Sequence, residues 1–278
     1  MTEPALLARE GALLAVDIGN TNVTLGIFVY AGGRAELAHH WRLATHREQT
    51  SDEVLVSLKG LCDLAEFPLA RLGEAIVSSV VPPLLPIWER VCEKLLGRPP
   101  MVVGTGIKTG MPVRYENPRE VGADRIVNAV AAFELLGGPV IAVDFGTATT
   151  FDCVSAKGEY LGGAIFPGIL VAMEALFSHT SMLHRIEIAR PRSVIGRTTT
   201  QSLQSGLLFG YAGMVDAMVD RIRGELGAEA RVIATGGLAQ RVASETKSIE
   251  RVEPFLTLEG LRMLFEKNRG HAEAPLKE

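Results

Sequence analysis

Leu13-Leu14-Ala15-Val16-Asp17-Ile18-Gly19-Asn20-Thr21-Asn22 is echoed later in the chain by Val140-Ile141-Ala142-Val143-Asp144-Phe145-Gly146-Thr147-Ala148-Thr149. In each stretch an apolar run suited to a buried strand ends in Asp. The chain then turns through Gly and small hydroxyl or amide side chains and enters a second apolar run, residues 23–30 or 150–154. This pattern predicts a β-hairpin opening each half of a duplicated chain, with the two Asp-bearing turns facing each other across a cleft. Two hydrophobic strands ending in Asp-x-Gly also arise independently from common turn chemistry. The remaining sequence must therefore carry its share of the argument.

That remainder reads as alternating strands and helices. Residues 51–64 carry an apolar face at Val54, Leu55, Leu58, Leu61 and Cys62, with Ser51 or Asp52 as the expected N-cap. Residues 74–81 read as a strand stopped by Pro82-Pro83, followed by a helix over 85–96 and a short strand at 101–103. A helix is expected over 119–136, where it would bridge the halves. A long one is expected over 202–226, and a strand over 232–235 runs into Gly236-Gly237 with a helix after it. Gly206, Gly210 and Gly213 share one face of the long helix. Each costs roughly 0.8–1.0 kcal/mol relative to Ala, so the face predicts close approach of another backbone or a ligand, ordinary helix packing being the plainer account.

Composition bounds the function. A chain of 278 residues sits where single cores stop growing, which allows two half-chains around a cleft. With 28 Lys+Arg against 32 Asp+Glu the net charge is −4, and no basic stretch exists to release counterions from a nucleic-acid backbone, so no nucleic-acid partner is expected. A hydrophobic fraction of 47% against 22% charged residues argues for a folded chain. Cys62, Cys92 and Cys153 are odd in number and far apart, which suits neither a disulfide framework nor zinc and points to a reducing cytoplasm. Residues 1–11 lack a continuous apolar region and the longest apolar runs are broken by Asp or Pro, so neither a signal peptide nor a membrane span is expected.

The chemistry concentrates in three places. Turns rich in Gly, Asn and Thr aim backbone N–H groups and hydroxyls at one spot and bind phosphates, while an Asp at the rim holds Mg²⁺ between protein and phosphate. Two such turns, at Asp17 and Asp144, suggest a nucleotide triphosphate. Asp124 and Arg125, in Glu120-Val121-Gly122-Ala123-Asp124-Arg125, form either a surface pair favourable to the helix dipole or a base and an anion-binding cation for an attacking hydroxyl. Thr235-Gly236-Gly237 lets an adenine or ribose lie against backbone, and a plain tight turn explains the same residues. No Walker A motif is present, since the run from Gly104 to Gly110 leads into Met111. Neither Gly-x-Gly-x-x-Gly after the first strand nor Gly-x-Ser-x-Gly occurs, and the histidines show no zinc-ligand spacing.

Taken in order, Asp17-x-Gly19-Asn20-Thr21-Asn22, Ser78-Ser79-Val80-Val81-Pro82, Tyr115-x-Asn117-Pro118, Gly122-Ala123-Asp124-Arg125, Asp144-Phe145-Gly146-Thr147-Ala148-Thr149-Thr150, Gly162-Gly163 with Pro167-Gly168, and Thr235-Gly236-Gly237 resemble type III pantothenate kinases. The match runs from about Leu13 to about Leu264. The resemblance implies a duplicated α/β fold, actin-like, sugar-kinase-like and ribonuclease H-like, with two similar domains around an interdomain cleft. Here these would be residues 12–118 and 119–266, with flexible termini at 1–11 and 267–278. It implies transfer of the ATP γ-phosphoryl to the 4′-hydroxyl of pantothenate, the first step of coenzyme A biosynthesis. Asp17, Ile18, Gly19, Asn20, Thr21, Asn22, Val23 and Thr24 would form the ATP phosphate turn, joined by Thr147. Asp124 would be the proton acceptor. Tyr115, Gly122, Ala123, Asp124, Arg125 and Thr199 would hold pantothenate, and Asp144 would bind a monovalent cation, K⁺ or NH₄⁺, alongside Mg²⁺ with ATP. The family implies a cytoplasmic homodimer. A non-catalytic accessory or regulatory protein of the same fold is one alternative, and another phosphoryl-handling enzyme such as a sugar or acetate kinase or a polyphosphate phosphatase is a second. Three places depart from the family pattern: Thr198 in place of Asn, Phe166 in place of a small residue, and Ser181-Met182-Leu183-His184 in place of a basic stretch.

Overall fold

A computed structural model of the chain describes residues 11–104, 106–180 and 183–269. It contains two five-stranded sheets. The first is built from β1 (Ala12–Ile18), β2 (Asn22–Ala31), β3 (Arg34–Ala44), β4 (Leu72–Ser79) and β5 (Met101–Val102), in the order β3-β2-β1-β4-β5. The second uses β6 (Val140–Phe145), β7 (Ala148–Val154), β8 (Tyr160–Pro167), β9 (Arg231–Thr235) and β10 (Arg251–Val252), in the order β8-β7-β6-β9-β10. Strand for strand the two orders coincide. In each sheet the first three strands form an antiparallel meander and the last two run parallel to the first.

The correspondence extends to individual residues. Asp17 lies opposite Thr24 of β2 and Ser78 of β4, and Asp144 lies opposite Thr150 of β7 and Thr235 of β9. Both leading strands are buried on both faces, as strands flanked by a parallel neighbour and covered by helices must be: residues 12–16 and 140–143 are each at most 1% exposed. One face of the first sheet packs Leu14, Val16, Val23 and Leu25 against Val54, Leu58 and Cys62 of α1 (Ser51–Leu64) and Trp88, Val91 and Cys92 of α2 (Leu85–Leu96). In the second sheet Ile141, Val143, Phe151 and Cys153 pack against Leu208, Val215 and Val219 of α5 (Thr199–Leu226) and Met173 of α4 (Ile169–Ser178). The remaining helices are α3 (Ala123–Leu136), α6 (Ala239–Ala243) and α7 (Leu256–Asn268).

By contacts the chain forms two compact units. Of the described residues, 11–110, 122–127 and 257–269 belong to one, and 111–121 and 128–256 to the other. The first unit thus closes with α7, from the far end of the chain. An added Cβ at Gly26 would lie 2.9 Å from Leu258, and one at Gly260 would meet the Val127 carbonyl oxygen at 2.4 Å. At Gly260 helices α7 and α3 meet at a distance that leaves no room for a side chain, while at Gly26 the tip of Leu258 lies against the sheet.

Several local expectations need correction. The cap of α1 is Thr50, not Ser51 or Asp52. Its hydroxyl accepts from the Glu53 N–H at 3.3 Å while Glu53 accepts from the Thr50 N–H at 2.7 Å, a reciprocal capping box. Helix α3 begins at Ala123 rather than Arg119, because Pro118–Glu120 forms a separate 3-10 turn capped by Asn117 and Val121 is extended. Residues 267 and 268, expected in a frayed tail, end α7 instead. Asn268 is buried, its amide pairs with both backbone groups of Lys108 at 2.9 Å, and Lys267 reaches the Thr109 carbonyl at 3.1 Å. The rest of the expected flexible ends, residues 1–10 and 270–278, lies outside the described residues. The three α5 glycines meet nothing, since an added Cβ at Gly206, Gly210 or Gly213 has no neighbour within 4 Å. Packing within one chain therefore does not account for them. No helix of the described residues is long and apolar enough to cross a membrane.

Candidate active site

The first Asp-bearing turn closes with a hydrogen bond from the Gly19 N–H to the Asn22 carbonyl at 2.9 Å. Ile18 and Val23 are buried, so these two members of the predicted phosphate turn offer only backbone, whereas Asn20 and Thr21 are exposed. A strap holds the turn from outside. Thr45, directly after β3, donates its N–H to the Thr21 carbonyl at 3.0 Å and its hydroxyl to the Gly19 carbonyl at 2.7 Å. Arg47 donates to the Asn20 side-chain oxygen at 3.4 Å. On the other side the Val80 N–H binds the Ile18 carbonyl at 3.0 Å.

Val80 also links this turn to Asp124. A Cβ placed on Gly122 would lie 3.5 Å from Val80 Cγ1 and 2.5 Å from Asp124 Oδ1, so glycine leaves room for the carboxylate beside the segment that holds the turn. Asp124 occupies the first turn of α3 and accepts the Arg125 N–H at 2.8 Å. Burial raises its pKa above the ordinary aspartate value; the Arg125 N–H bond and the Arg125 charge oppose that shift without cancelling it. Arg125 is 9% exposed, which marks it as an interior cation rather than half of a solvated surface pair.

The second turn has the same plan and different fastenings. The Gly146 N–H donates to the Ala148 carbonyl at 3.0 Å, and the Gly168 N–H, directly after β8, donates to the Thr147 carbonyl at 3.0 Å. Gly168 has no room for a side chain, because its Cβ would stand 2.4 Å from the carbonyl oxygens of Gly146 and Thr147. Asp144 is held through Oδ2 by the amide of Asn128 on α3 at 3.2 Å. Its Oδ1 faces Gly236, whose φ of +96° and hypothetical Cβ only 2.6 Å from that oxygen exclude any other residue without strain. Next to the two turns, the buried hydroxyls of Ser78 and Thr149 have no hydrogen-bond partner among the described residues. Orphaned buried hydroxyls beside ligand turns are the usual mark of a water or ion position.

The predicted acceptor-site residues are distributed. Tyr115 packs on Gly162, where an added Cβ would come within 3.2 Å of its ring, and its ring centroid lies 6.5 Å from that of Tyr160. Tyr160 is anchored by its hydroxyl on the buried Asp152 at 2.8 Å. Thr199 is exposed on the first turn of α5, whose N-cap is Thr198, accepting from the Gln201 N–H at 3.2 Å. The departure from Asn at Thr198 is therefore conservative, since both side chains cap helices. Phe166 is 43% exposed and meets the edge of Tyr211. Of the third departure, the segment Ser181-Met182-Leu183-His184, Ser181 and Met182 lie outside the described residues.

Sequence reasoning missed Thr45, Arg47 and Asn128. Asn128 had a local signal, because it follows Asp124 by one helical turn and shares its face. Thr45 had none: its contact spans 26 residues and depends on where β3 ends.

The family model for type III pantothenate kinases matches residues 13–221. Curated type III pantothenate kinases of Moorella thermoacetica and Myxococcus xanthus are 51% and 54% identical over 256 residues, covering 92% of this chain and 99% and 98% of theirs. Among solved structures, a Campylobacter jejuni protein described as a Baf family transcriptional activator superposes with a TM-score of 0.57 at 19% identity, over 92% of this chain and 99% of that one. A Sinorhizobium meliloti protein described as a 2-dehydro-3-deoxygalactonokinase gives 0.52 at 15% identity, over 96% and 100%. At these identities the structures speak for the sugar-kinase-like fold alone. The sequence relatives decide the family: the chain belongs to the type III pantothenate kinases, which phosphorylate the alcohol of pantothenate at the entry to coenzyme A biosynthesis.

Proposed function

We propose that the chain transfers the ATP γ-phosphoryl to the 4′-hydroxyl of pantothenate with Asp124 as the proton acceptor. The observation that carries this reading is a carboxylate with a raised pKa, kept beside the Asp17 turn by the Gly122–Val80 contact. Burial raises the pKa of this carboxylate above the ordinary aspartate value, and a carboxylate of raised pKa is a stronger acceptor for the hydroxyl proton. Phosphoryl transfer asks little else of the protein beyond positioning and charge. Backbone N–H groups of residues 17–24 and the Thr147 side chain hold the phosphates, and Mg²⁺ arriving with ATP neutralises their charge. Tyr115, Gly122, Ala123, Arg125 and Thr199 hold the acceptor.

Asp144 is the proposed cation ligand. Its carboxylate is a hard oxygen donor suited to K⁺ or NH₄⁺, and Thr150 lies directly opposite it on β7. A second copy of the chain is the proposed partner. Ile165, Phe166, Leu170 and Val171 leave large apolar side chains in solvent on β8 and α4, and α5 presents open glycines at 206, 210 and 213. Exposed apolar patches of this kind mark interfaces.

The test is ADP release with ATP and Mg²⁺ in the presence of pantothenate, glucose, acetate or no acceptor, with and without KCl. Pantothenate alone should stimulate release, and Asp144→Ala should remove the potassium response. Absence of stimulation by pantothenate overturns the reading, and equal stimulation by glucose or acetate moves it to another kinase of the fold.

A further inference from the structure

We propose that Arg47 is a phosphate-binding residue, contributing a guanidinium to the nucleotide bound at the first turn. The inference deepens the reading above and rests on it. Three observations carry it. First, the strap from Thr45 fixes the chain leading to Arg47 against the turn by two hydrogen bonds, of 3.0 and 2.7 Å, so the position of Arg47 is set by the same carbonyls that shape the turn. Second, the guanidinium touches the turn itself, through Asn20 at 3.4 Å, a contact that uses one of five donors.

Third, no carboxylate among the described residues pairs with it. Glu53 is occupied by the backbone and hydroxyl of Thr50, Asp52 binds Lys94 at 2.7 Å, and the adjacent Glu48 makes no ion pair with Arg47. An exposed arginine held at a phosphate-type turn with its donors unspent is matched to the fork geometry of phosphate oxygens. The second turn has no counterpart, because the chain after Gly168 continues as Ile169-Leu170-Val171. The cation therefore belongs to one turn of the duplicated pair.

Steady-state kinetics and nucleotide binding of Arg47→Ala, Arg47→Lys, Asn20→Ala and Gly19→Val test this. Arg47→Ala should raise KM for ATP roughly 10- to 100-fold, the usual scale of a charge-assisted hydrogen bond. KM for pantothenate and the thermal midpoint should stay unchanged. Binding of ADP should weaken in parallel while adenosine, lacking phosphate, binds as before, and Arg47→Lys should recover part of the loss. If Gly19→Val weakens ATP binding and Arg47→Ala does not, the phosphate role of Arg47 is overturned while the reading of the turn survives. If neither variant affects ATP, the turn does not hold the phosphates and both fall. A third outcome also overturns direct contact: Asn20→Ala reproduces the whole effect and the double variant adds nothing, which would make Arg47 only a brace for Asn20.

Discussion

The two Asp-bearing hairpins share strand order and set each Asp opposite a Thr, Asp17 against Thr24 and Asp144 against Thr150, yet the second turn is one residue shorter and the two are fastened differently. Both turns accept a backbone N–H from the residue that follows the third strand, Thr45 or Gly168, but around Asp17 side chains add to it: the Thr45 hydroxyl on Gly19 and Arg47 on Asn20. Around Asp144 it is held by backbone brought too close for any side chain, at Gly168 and Gly236, with one amide from Asn128 on the carboxylate. Duplication of a backbone evidently fixes where each aspartate stands. What the aspartate can do is decided by residues outside the hairpin, and these have diverged.

The comparison can be broken most sharply at Asp124, which stands with the first turn. Asp124→Asn should lower kcat by roughly two to four orders of magnitude with ATP binding retained. Near-wild-type turnover would reassign the base. The same variant should not lose stability at pH 7. The folded-state pKa is raised, so the ionised carboxylate costs stability above that value, and the cost disappears as pH falls through it. Melting of wild type and variant across pH should therefore converge on the acid side. For the same reason the acid limb of kcat/KM should lie above the ordinary aspartate range.

Next in size is the glycine fastening of the second turn. Gly236→Ala should cost roughly 1–3 kcal/mol, combining positive-φ strain with the clash on Asp144. The equivalent place in the first sheet holds Ser79, an ordinary strand residue, where Ser79→Ala should cost about 1 kcal/mol for its hydrogen bond to Val81. Equal losses in chemical denaturation would erase the asymmetry. Smaller again, Thr45→Val should remove one net hydrogen bond, about 1 kcal/mol, and raise KM for ATP several-fold by loosening the first turn alone. Smallest, Thr198→Asn should shift stability by at most about 0.5 kcal/mol, since one good N-cap replaces another.

The hairpins were legible in the sequence because a buried strand, an Asp and a Gly-rich turn form a local signature that occurs twice. Helix α2 was legible to the residue, with Pro at its start and Gly97 in the left-handed conformation at its end. Strands β3 and β8 went unread. In β3 polar and apolar residues alternate over a strand half exposed along its length, with His39 and His40 inside it, and its pairing with β2 is what reveals it. The start of α3 was placed too early because the turn at Pro118–Glu120 is itself helical in the 3-10 sense, while extended Val121 separates it from the helix that begins at Ala123. Asn128, Gly236 and Thr45 act on their turns through contacts that exist only once separate strands are side by side.

The placement of α7 has a consequence for how the molecule is made. The first sheet is met by a helix that follows the whole second unit in sequence, through Leu258 on Gly26, and Asn268 ties that helix to Lys108 of the same unit. A ribosome delivers the whole second unit, ending at residue 256, before it releases that helix. During translation the first unit therefore lacks residues 257–269 until the later unit has been delivered, and their arrival is the step that completes its packing.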